Sequence, residues 1–408
     1  MFNKFSNNTI HNSVTCSSKT PSKAALTLKQ LTVAVSASLA LSLSYAEETN
    51  GAEQAVQYAQ AQSVESITQQ ASTQQADTAQ MASNQDEDSA ATETGSVQTE
   101  TQPQSQTQDK SQTDSELSAI AKQVNGSEWQ PGVKMTQAVG TKVQALLNWH
   151  HHGVGAVDGW WGKNTQKAMQ AFQKAKGLPV TDSLDQKTWE ALKSGDMANK
   201  PVLISYTLTD SDVNIKTITI PEGVEAKSKL EGLYYESVAE AMAEKFHMSI
   251  NYLKQLNLNA TFTAGETLTV YNPGKANKTA VTRVVADKNS QTLYAYDKND
   301  KLVASYPTTV GSTATPSPTG THKVQTKVSD PNYTHTDAEG KQTILPPGPN
   351  NPVGRVWIGL TKPSYGIHGS PDPERISRQA SAGCIRLTNW DALALLNTID
   401  NNATVEIK

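Results

Sequence analysis

The chain has 408 residues, a formal net charge of −4 and two cysteines. A nearly balanced charge with no basic stripe excludes the nucleic-acid-binding classes, and two cysteines exclude a disulfide-built scaffold. The longest apolar run, residues 31–46, is too short and too rich in Ser for a membrane-spanning helix of ~20 residues.

That run is preceded by Lys4, Lys19, Lys23 and Lys29 and ends in Ser44-Tyr45-Ala46. A basic start, a short apolar stretch and a small-x-small end describe a secretory leader, so residues 1–46 are read as a signal peptide cleaved after Ala46. Cys16 lies ahead of the apolar run, badly placed for lipoprotein processing, and leaves with the leader. The mature chain then carries a net charge of −8 and a single cysteine, Cys384. Residues 47–120 are dominated by Gln, Ser, Thr, Ala and Glu, with too few apolar side chains to repay ordering. They are read as a disordered acidic tether.

Folded sequence is expected from residue 130. Val143, Leu146 and Leu147 make a first apolar face, and Asp158-Gly159 marks a turn. Thr165 is expected to cap a helix with Ala168, Met169 and Phe172 on its buried side. Gly177 ends that helix, and Thr188, Trp189 and Leu192 form a third. His150, His151 and His152 invite a metal reading, but consecutive side chains point in different directions and seldom converge on one ion. Of Trp160 and Trp161, at least one is expected to fill the small core. Further on, two amphipathic helices are read over residues 238–246 and 250–256, followed by an extended Glu-Thr-Leu-Thr-Val-Tyr run. From residue 281 the pattern turns to short β-branched or alternating runs separated by Asn, Asp and Lys turns. A late helix is expected over 390–398, capped by Thr388 or Asn389, and a closing strand ends the chain.

Cys384 is the feature that calls for chemistry. A lone cysteine in an exported protein is a reactive thiol, an intermolecular bridge or an inert buried side chain. Its neighbours favour reactivity. Gly383 precedes it, which frees consecutive backbone N–H groups to face a developing oxyanion. His368 follows an extended run that begins at Tyr365, and Gly369 lets the chain turn. A loop rich in Pro and charge then returns to Cys384, placing thiol and imidazole at neighbouring strand ends. An imidazole that takes the thiol proton and stays as imidazolium makes a nucleophile of it. His322 and His335 are rival bases without such spacing. All five arginines lie in the last third of the chain, Arg375, Arg378 and Arg386 in or beside this segment. Arg is suited to bidentate carboxylate recognition, which fits a substrate bearing carboxylates.

Two stretches carry family resemblances. His368-Gly369, then Ser381-Ala382-Gly383-Cys384 followed by Ile385 and Arg386, resembles the signature of the L,D-transpeptidase (YkuD-like) catalytic domain. The Thr315-Pro316-Ser317-Pro318 run and the Pro-Gly-x-x-Asn-Pro segment ending in Pro352 support it. Asp158-Gly159, Trp161-Gly162, Thr165, Phe172-Gln173, Gly177-Leu178 and Thr188-Trp189 resemble the type 1 peptidoglycan-binding domain, and residues 201–274 resemble a degenerate LysM-like unit.

The resemblances imply a multidomain protein. A small three-helix peptidoglycan-binding module (130–195) is followed by an α+β LysM-like segment (201–274) and a mostly β catalytic domain (281–408). They imply Cys384 as acyl-enzyme nucleophile, His368 as its base and the Gly369 carbonyl as orienter of the imidazole. Gly383 and Cys384 N–H groups would form the oxyanion hole, and Ser381, Arg386 and Tyr365 would meet substrate. The implied partners are peptidoglycan stem peptides and glycan strands, reached by export to the periplasm, with neither metal nor cofactor. The acyl acceptor is left open between a second diaminopimelate side chain, giving a 3-3 cross-link, the lysine of an outer-membrane lipoprotein, and water, which would make an L,D-carboxypeptidase. One departure stands out: the family often has His where this chain has Ala382. A non-catalytic wall-binding protein with a decayed enzyme domain is therefore the second reading. A papain-like peptidase, whose residue order differs, is the third.

Overall fold

The computed structural model describes residues 13–15, 117–311, 315–378, 381 and 383–408. The expected leader and tether lie outside the described residues except for residues 13–15 and 117–120, and Ala382 lies outside them too. Ser13–Thr15 (β1) runs parallel to Asn332–Thr336 (β8).

The first folded element starts before the expected boundary. Ala119–Asn125 (α1) is capped by Ser118, whose hydroxyl accepts from the Ala121 N–H, and it buries Ala121 and Val124. Gln137–Trp149 (α2), Lys163–Lys176 (α3) and Gln186–Leu192 (α4) follow. Gly177 ends α3 in the left-handed conformation, as its sequence position predicts. Thr165 does not cap α3. The cap is Gly162, and the buried Thr165 hydroxyl instead reaches the Trp160 carbonyl, because the turn at Asp158-Gly159 folds back onto it. Of the two tryptophans, Trp161 packs against the core and Trp160 is 62% exposed.

The next segment is built as strand, helices, strand. Leu203–Thr207 (β2) pairs antiparallel with Thr267–Tyr271 (β3). Between them come Asp210–Val213 (α5), Val224–Ser228 (α6), Val238–Lys245 (α7) and Ile250–Leu256 (α8). This segment and the helices before it share one apolar core running from Leu117 to Tyr271. The buried Thr141 hydroxyl on α2 lies 2.6 Å from the Tyr252 hydroxyl on α8. The Trp149 indole donates to the Asn272 carbonyl, and Asn125 bonds Leu203 through both its amide groups.

The C-terminal part is an eight-stranded mixed sheet in the order β12-β11-β10-β7-β13-β4-β5-β6. Its strands are Val281–Asp287 (β4), Thr292–Tyr296 (β5), Leu302–Pro307 (β6), Gly320–Ser329 (β7), Val356–Leu360 (β10), Gly366–His368 (β11), Ile385–Arg386 (β12) and Ile399–Ile407 (β13). The continuous apolar run of β10 is buried at every position. The helix Asn389–Thr398 (α9) covers the sheet, capped by Thr388. Gln342–Leu345 (β9) and β8 make a separate hairpin. The edge strand β6 is covered by the helical region: Gly153 N–H donates to the Ser305 carbonyl, and Ser305 N–H to the His151 carbonyl.

Candidate active site

Thiol and imidazole lie at the end of the sheet where β11 and β12 run parallel, with Ile367 opposite Ile385 and His368 opposite Arg386. That register places Cys384, one residue ahead of β12, beside the strand that carries His368. Both residues are only 2% exposed. The Leu387 N–H donates to the His368 carbonyl and locks the two strand ends together.

The imidazole is oriented from below. His368 Nδ1 lies 2.7 Å from the Gly369 carbonyl. A carbonyl only accepts, so Nδ1 carries the proton and Nε2 is left with a lone pair. Trp357 stacks on the ring at 5.9 Å between centroids. The turn after His368 is held by Asn389, whose side-chain oxygen accepts from the Ser370 and Arg355 N–H groups. A Cβ on Gly369 would meet that oxygen at 2.3 Å, so only glycine lets the clamp close. Asn389 also donates to Glu244 on α7, joining the clamp to the middle segment. Sequence reasoning missed Asn389 as a site residue; the only local signal was its place as a candidate helix cap.

Burial, then the neighbouring Arg386 guanidinium, pushes the His368 pKa down to about 3, and the Gly369 bond opposes this only in part. The resting imidazole is therefore neutral. On that footing His368 is arranged to accept a proton during reaction. The Cys384 thiol meanwhile lies 3.7 Å from the Ser364 carbonyl.

The turn before Cys384 is tied inward. Gly383 has φ +113°, a conformation that favours glycine, and a Cβ there would meet the Tyr365 ring at 2.9 Å. The Tyr365 ring thus lies against the turn that carries the nucleophile. Two other expectations change. The Gly383 N–H donates to Ser381 Oγ at 3.2 Å, so it is engaged within the turn rather than presented to an oxyanion. Ser381 Oγ in turn donates to the Cys384 carbonyl at 2.5 Å and is buried, so it shapes the turn and does not face substrate. The turn is held further by the Ser381 N–H donating to the Val310 carbonyl and by Thr315 Oγ1 donating to the Ser381 carbonyl. Arg386 stands beside His368, with its own backbone bonded both ways to Thr309.

The site has an unexpected wall. Leu233, from the middle segment, forms one apolar cluster with Tyr333, Leu345, Val353, Trp357 and Cys384, and Ile220, Val224 and Leu230 pack on it. Leu233 N–H donates to the Pro347 carbonyl, and its own carbonyl accepts from the Asn350 N–H. A Cβ on Gly348 would lie 2.3 Å from the Leu233 carbonyl oxygen.

The other expected candidates fall elsewhere. His322 lies on β7 with a ring nitrogen 3.4 Å from the Pro318 carbonyl, and His335 sits on β8 beside Tyr333. Of the three consecutive histidines, the first and third share the Phe172 ring. His150 packs on Phe172, His151 takes a left-handed turn conformation, and His152 lies 2.9 Å from the Ser305 hydroxyl. Among the described residues, no group of three or more His, Cys, Asp or Glu is placed to hold a metal ion, and no helix is long and apolar enough to cross a membrane.

Comparison with known proteins gives the family. Residues 281–407 match the family model described as the L,D-transpeptidase catalytic domain, and residues 141–192 match the "Putative peptidoglycan binding domain". The "Putative L,D-transpeptidase YkuD" of Bacillus licheniformis is 31% identical over 172 residues, which cover 41% of this chain and 92% of that protein. The protein of the same name from Bacillus subtilis is 28% identical, covering 41% of this chain and 91% of its own. A solved L,D-transpeptidase from Mycobacterium smegmatis aligns at 17% identity and a TM-score of 0.26, over 36% of this chain and 64% of that one. This chain belongs to the L,D-transpeptidase (YkuD) family and carries a peptidoglycan-binding domain ahead of the catalytic one.

Proposed function

We propose that the protein is an exported, wall-associated enzyme that cuts the bond between residues three and four of a peptidoglycan tetrapeptide and passes the acyl group to an amine. The observation that carries this is the His368 Nδ1–Gly369 carbonyl bond, which leaves Nε2 as a neutral base on the strand beside the nucleophile. The Cys384 thiol gives its proton to Nε2 as sulfur attacks the carbonyl of residue three. The tetrahedral intermediate collapses, the imidazolium protonates the departing D-alanine amine, and a thioester remains on Cys384. An acceptor amine then attacks the thioester, Nε2 takes its proton, and that proton returns to the thiol. With the Gly383 amide engaged by Ser381, the Cys384 N–H is our choice of oxyanion donor. Tyr365 and Arg386 are assigned to the substrate side. The antiparallel pairing of β2 with β3 on either side of helices α5 to α8 supports the LysM-like reading of that segment.

Incubation with a disaccharide-tetrapeptide, followed by mass spectrometry of the intact protein, tests the proposal. We expect an adduct on Cys384 with release of one D-alanine, and neither in a Cys384→Ala variant. Adding a free diaminopimelate-containing stem should convert the adduct to cross-linked dimer. Conversion to free tripeptide alone would make the enzyme an L,D-carboxypeptidase, and absence of any adduct would return the chain to a wall-binding role.

A further inference from the structure

We infer that Glu244, on α7 of the middle segment, is a positioning residue for His368: it fixes the Asn389 side chain, and Asn389 sets the peptide whose carbonyl orients the imidazole. This role rests on the acyl-transfer reading of the site and brings to it a residue from outside the catalytic sheet.

The connection starts at a single peptide plane. The Gly369 carbonyl that faces His368 Nδ1 at 2.7 Å and the Ser370 N–H belong to the same trans peptide. In a trans peptide those two groups point in opposite directions. The Ser370 N–H donates to Asn389 Oδ1 at 3.1 Å, so the hold of Asn389 on one end of the plane aims the carbonyl at the other end toward the ring. The Arg355 N–H donates to the same oxygen at 3.1 Å. A Cβ on Gly354 would lie 2.0 Å from that oxygen and one on Gly369 2.3 Å from it, so the backbone is shaped around this side chain.

Asn389 can do this in one orientation only. Two N–H donors claim its oxygen, which leaves its amide nitrogen facing the other way and in need of acceptors. Those are the Pro349 carbonyl at 3.2 Å and Glu244 Oε2 at 2.8 Å. The Glu244 bond is the shorter and is charge-assisted. Glu244 is in turn held through its other oxygen by the Tyr235 hydroxyl at 2.8 Å. Burial raises the Glu244 pKa, while the bonds from Asn389 and Tyr235 and the Arg355 guanidinium oppose that rise and favour the ionised acceptor. Without Glu244 the buried Asn389 amide would have an N–H lacking an acceptor, a loss relieved by rotating the side chain and releasing the Ser370 N–H. His368 would then keep its place on β11 but lose the fixed partner that holds the proton on Nδ1.

Steady-state turnover of a soluble disaccharide-tetrapeptide and the ¹⁵N resonances of the His368 ring, both on the full chain, test this role. Glu244→Ala should lower kcat roughly tenfold, as expected for a catalytic group slightly out of place, and leave KM within about twofold. Its His368 should change from the Nδ1–H tautomer alone to a mixture with Nε2–H. Glu244→Gln still offers an oxygen to Asn389 and should restore kcat to within about threefold of the parent. Asn389→Ala should add little to Glu244→Ala, because one residue acts through the other. Tyr235→Phe takes only the hydroxyl that holds Glu244. It should shift both readouts in the same direction, and it judges the role should Glu244→Ala not fold. An unchanged kcat and tautomer, a glutamine variant as impaired as the alanine one, or additive losses in the double variant overturns the inference. The ring resonances need no substrate. If the parent releases no D-alanine while Glu244→Ala still changes the tautomer, the acyl-transfer reading falls and the positioning role stands.

Discussion

The state of His368 decides how Cys384 can react. A buried imidazole with its pKa lowered to about 3 is neutral across the whole neutral range, so no imidazolium waits beside the sulfur. A thiolate–imidazolium pair gives alkylation rates that stay on a plateau at low pH; a neutral base does not. We expect the iodoacetamide reaction of Cys384 to fall steadily as pH drops from 8 to 5, and a plateau in that window would restore the ion pair. His368→Ala should lower acyl transfer by roughly 10²–10⁴-fold, the usual worth of a general base. Asn389→Ala removes the clamp on the turn after His368 but not the base itself. It should lower acyl transfer less than His368→Ala does, and an equal loss would mean that the clamp is inseparable from the base. At this scale much could be read from the sequence. Spacing and glycine flanks put Cys384 and His368 at neighbouring strand ends, with a turn at Gly369, and the register of β11 and β12 has them so. The neutrality of His368 could not be read, because burial and the position of Arg386 arise only when β11 and β12 pair. The inward turn of Ser381 was hidden for the same reason: its partners, Val310 and Thr315, come from a distant loop.

At the scale of elements, the segment from Ile220 to Leu233 acts as a strap. It leaves the helical region, lays α6 against the β8–β9 hairpin and returns through Leu233, which is buried against the Cys384 cluster. The backbone bonds to Pro347 and Asn350 fix its height over the site. A substrate that reaches Cys384, itself only 2% exposed, must displace part of this cover. Leu233→Ala removes a fully buried side chain, a change that typically costs 2–5 kcal/mol. If part of that cost falls on the closed strap alone, opening becomes easier, and every 1.4 kcal/mol corresponds to a factor of ten. We therefore expect Cys384 to be alkylated on the order of tenfold faster in this variant under conditions where circular dichroism reports a folded chain. An unchanged rate would show that access to the thiol runs elsewhere. The strap was not legible in the sequence. Helices α3, α7, α8 and α9 declare themselves by apolar spacing and caps. A contact between Leu233 and Gly348 spans more than a hundred residues and leaves no local mark except the glycine. Helix α1 was missed for a different reason: its polar composition resembles the tether that precedes it.

At the scale of the whole molecule, buried titratable groups tie its parts together and set its response to pH. His152 sits where the helical region meets β6, its pKa lowered to about 3 by burial and by its histidine neighbours. His247 lies flat on Trp390 of α9, its pKa lowered to about 4 by burial. It keeps part of its surface in solvent, so its effect is smaller than those of His152 and His368, whose pKa values are pushed to about 3. His150 and His151 are lowered too, by burial first. Below the ordinary histidine value of 6.5 the unfolded chain takes up protons that the folded chain refuses. Stability is therefore fully present above pH 6.5 and is lost as pH falls toward 3. Asp391 has the opposite sign. Burial raises its pKa from 3.8 to about 7, so the folded chain holds a proton there that the unfolded chain has released, and that contribution is lost as pH rises from about 4 to 7. Five histidines with lowered pKa outweigh two carboxyls raised by burial, Asp391 and Glu244, which places the stability maximum near pH 6.5 to 7. Urea midpoints should drop between pH 6.5 and 5, and a flat profile there would refute the buried, neutral histidines. His152→Gln should make that drop shallower by about one proton. Asp391→Asn removes one opposing group, and its midpoint relative to the parent should be higher at pH 8 than at pH 5. Because Leu117 to Tyr271 share one core and His152 fastens that core to β6, both variants should shift a single unfolding transition. Two separated transitions would mean that the helical region and the catalytic sheet unfold independently.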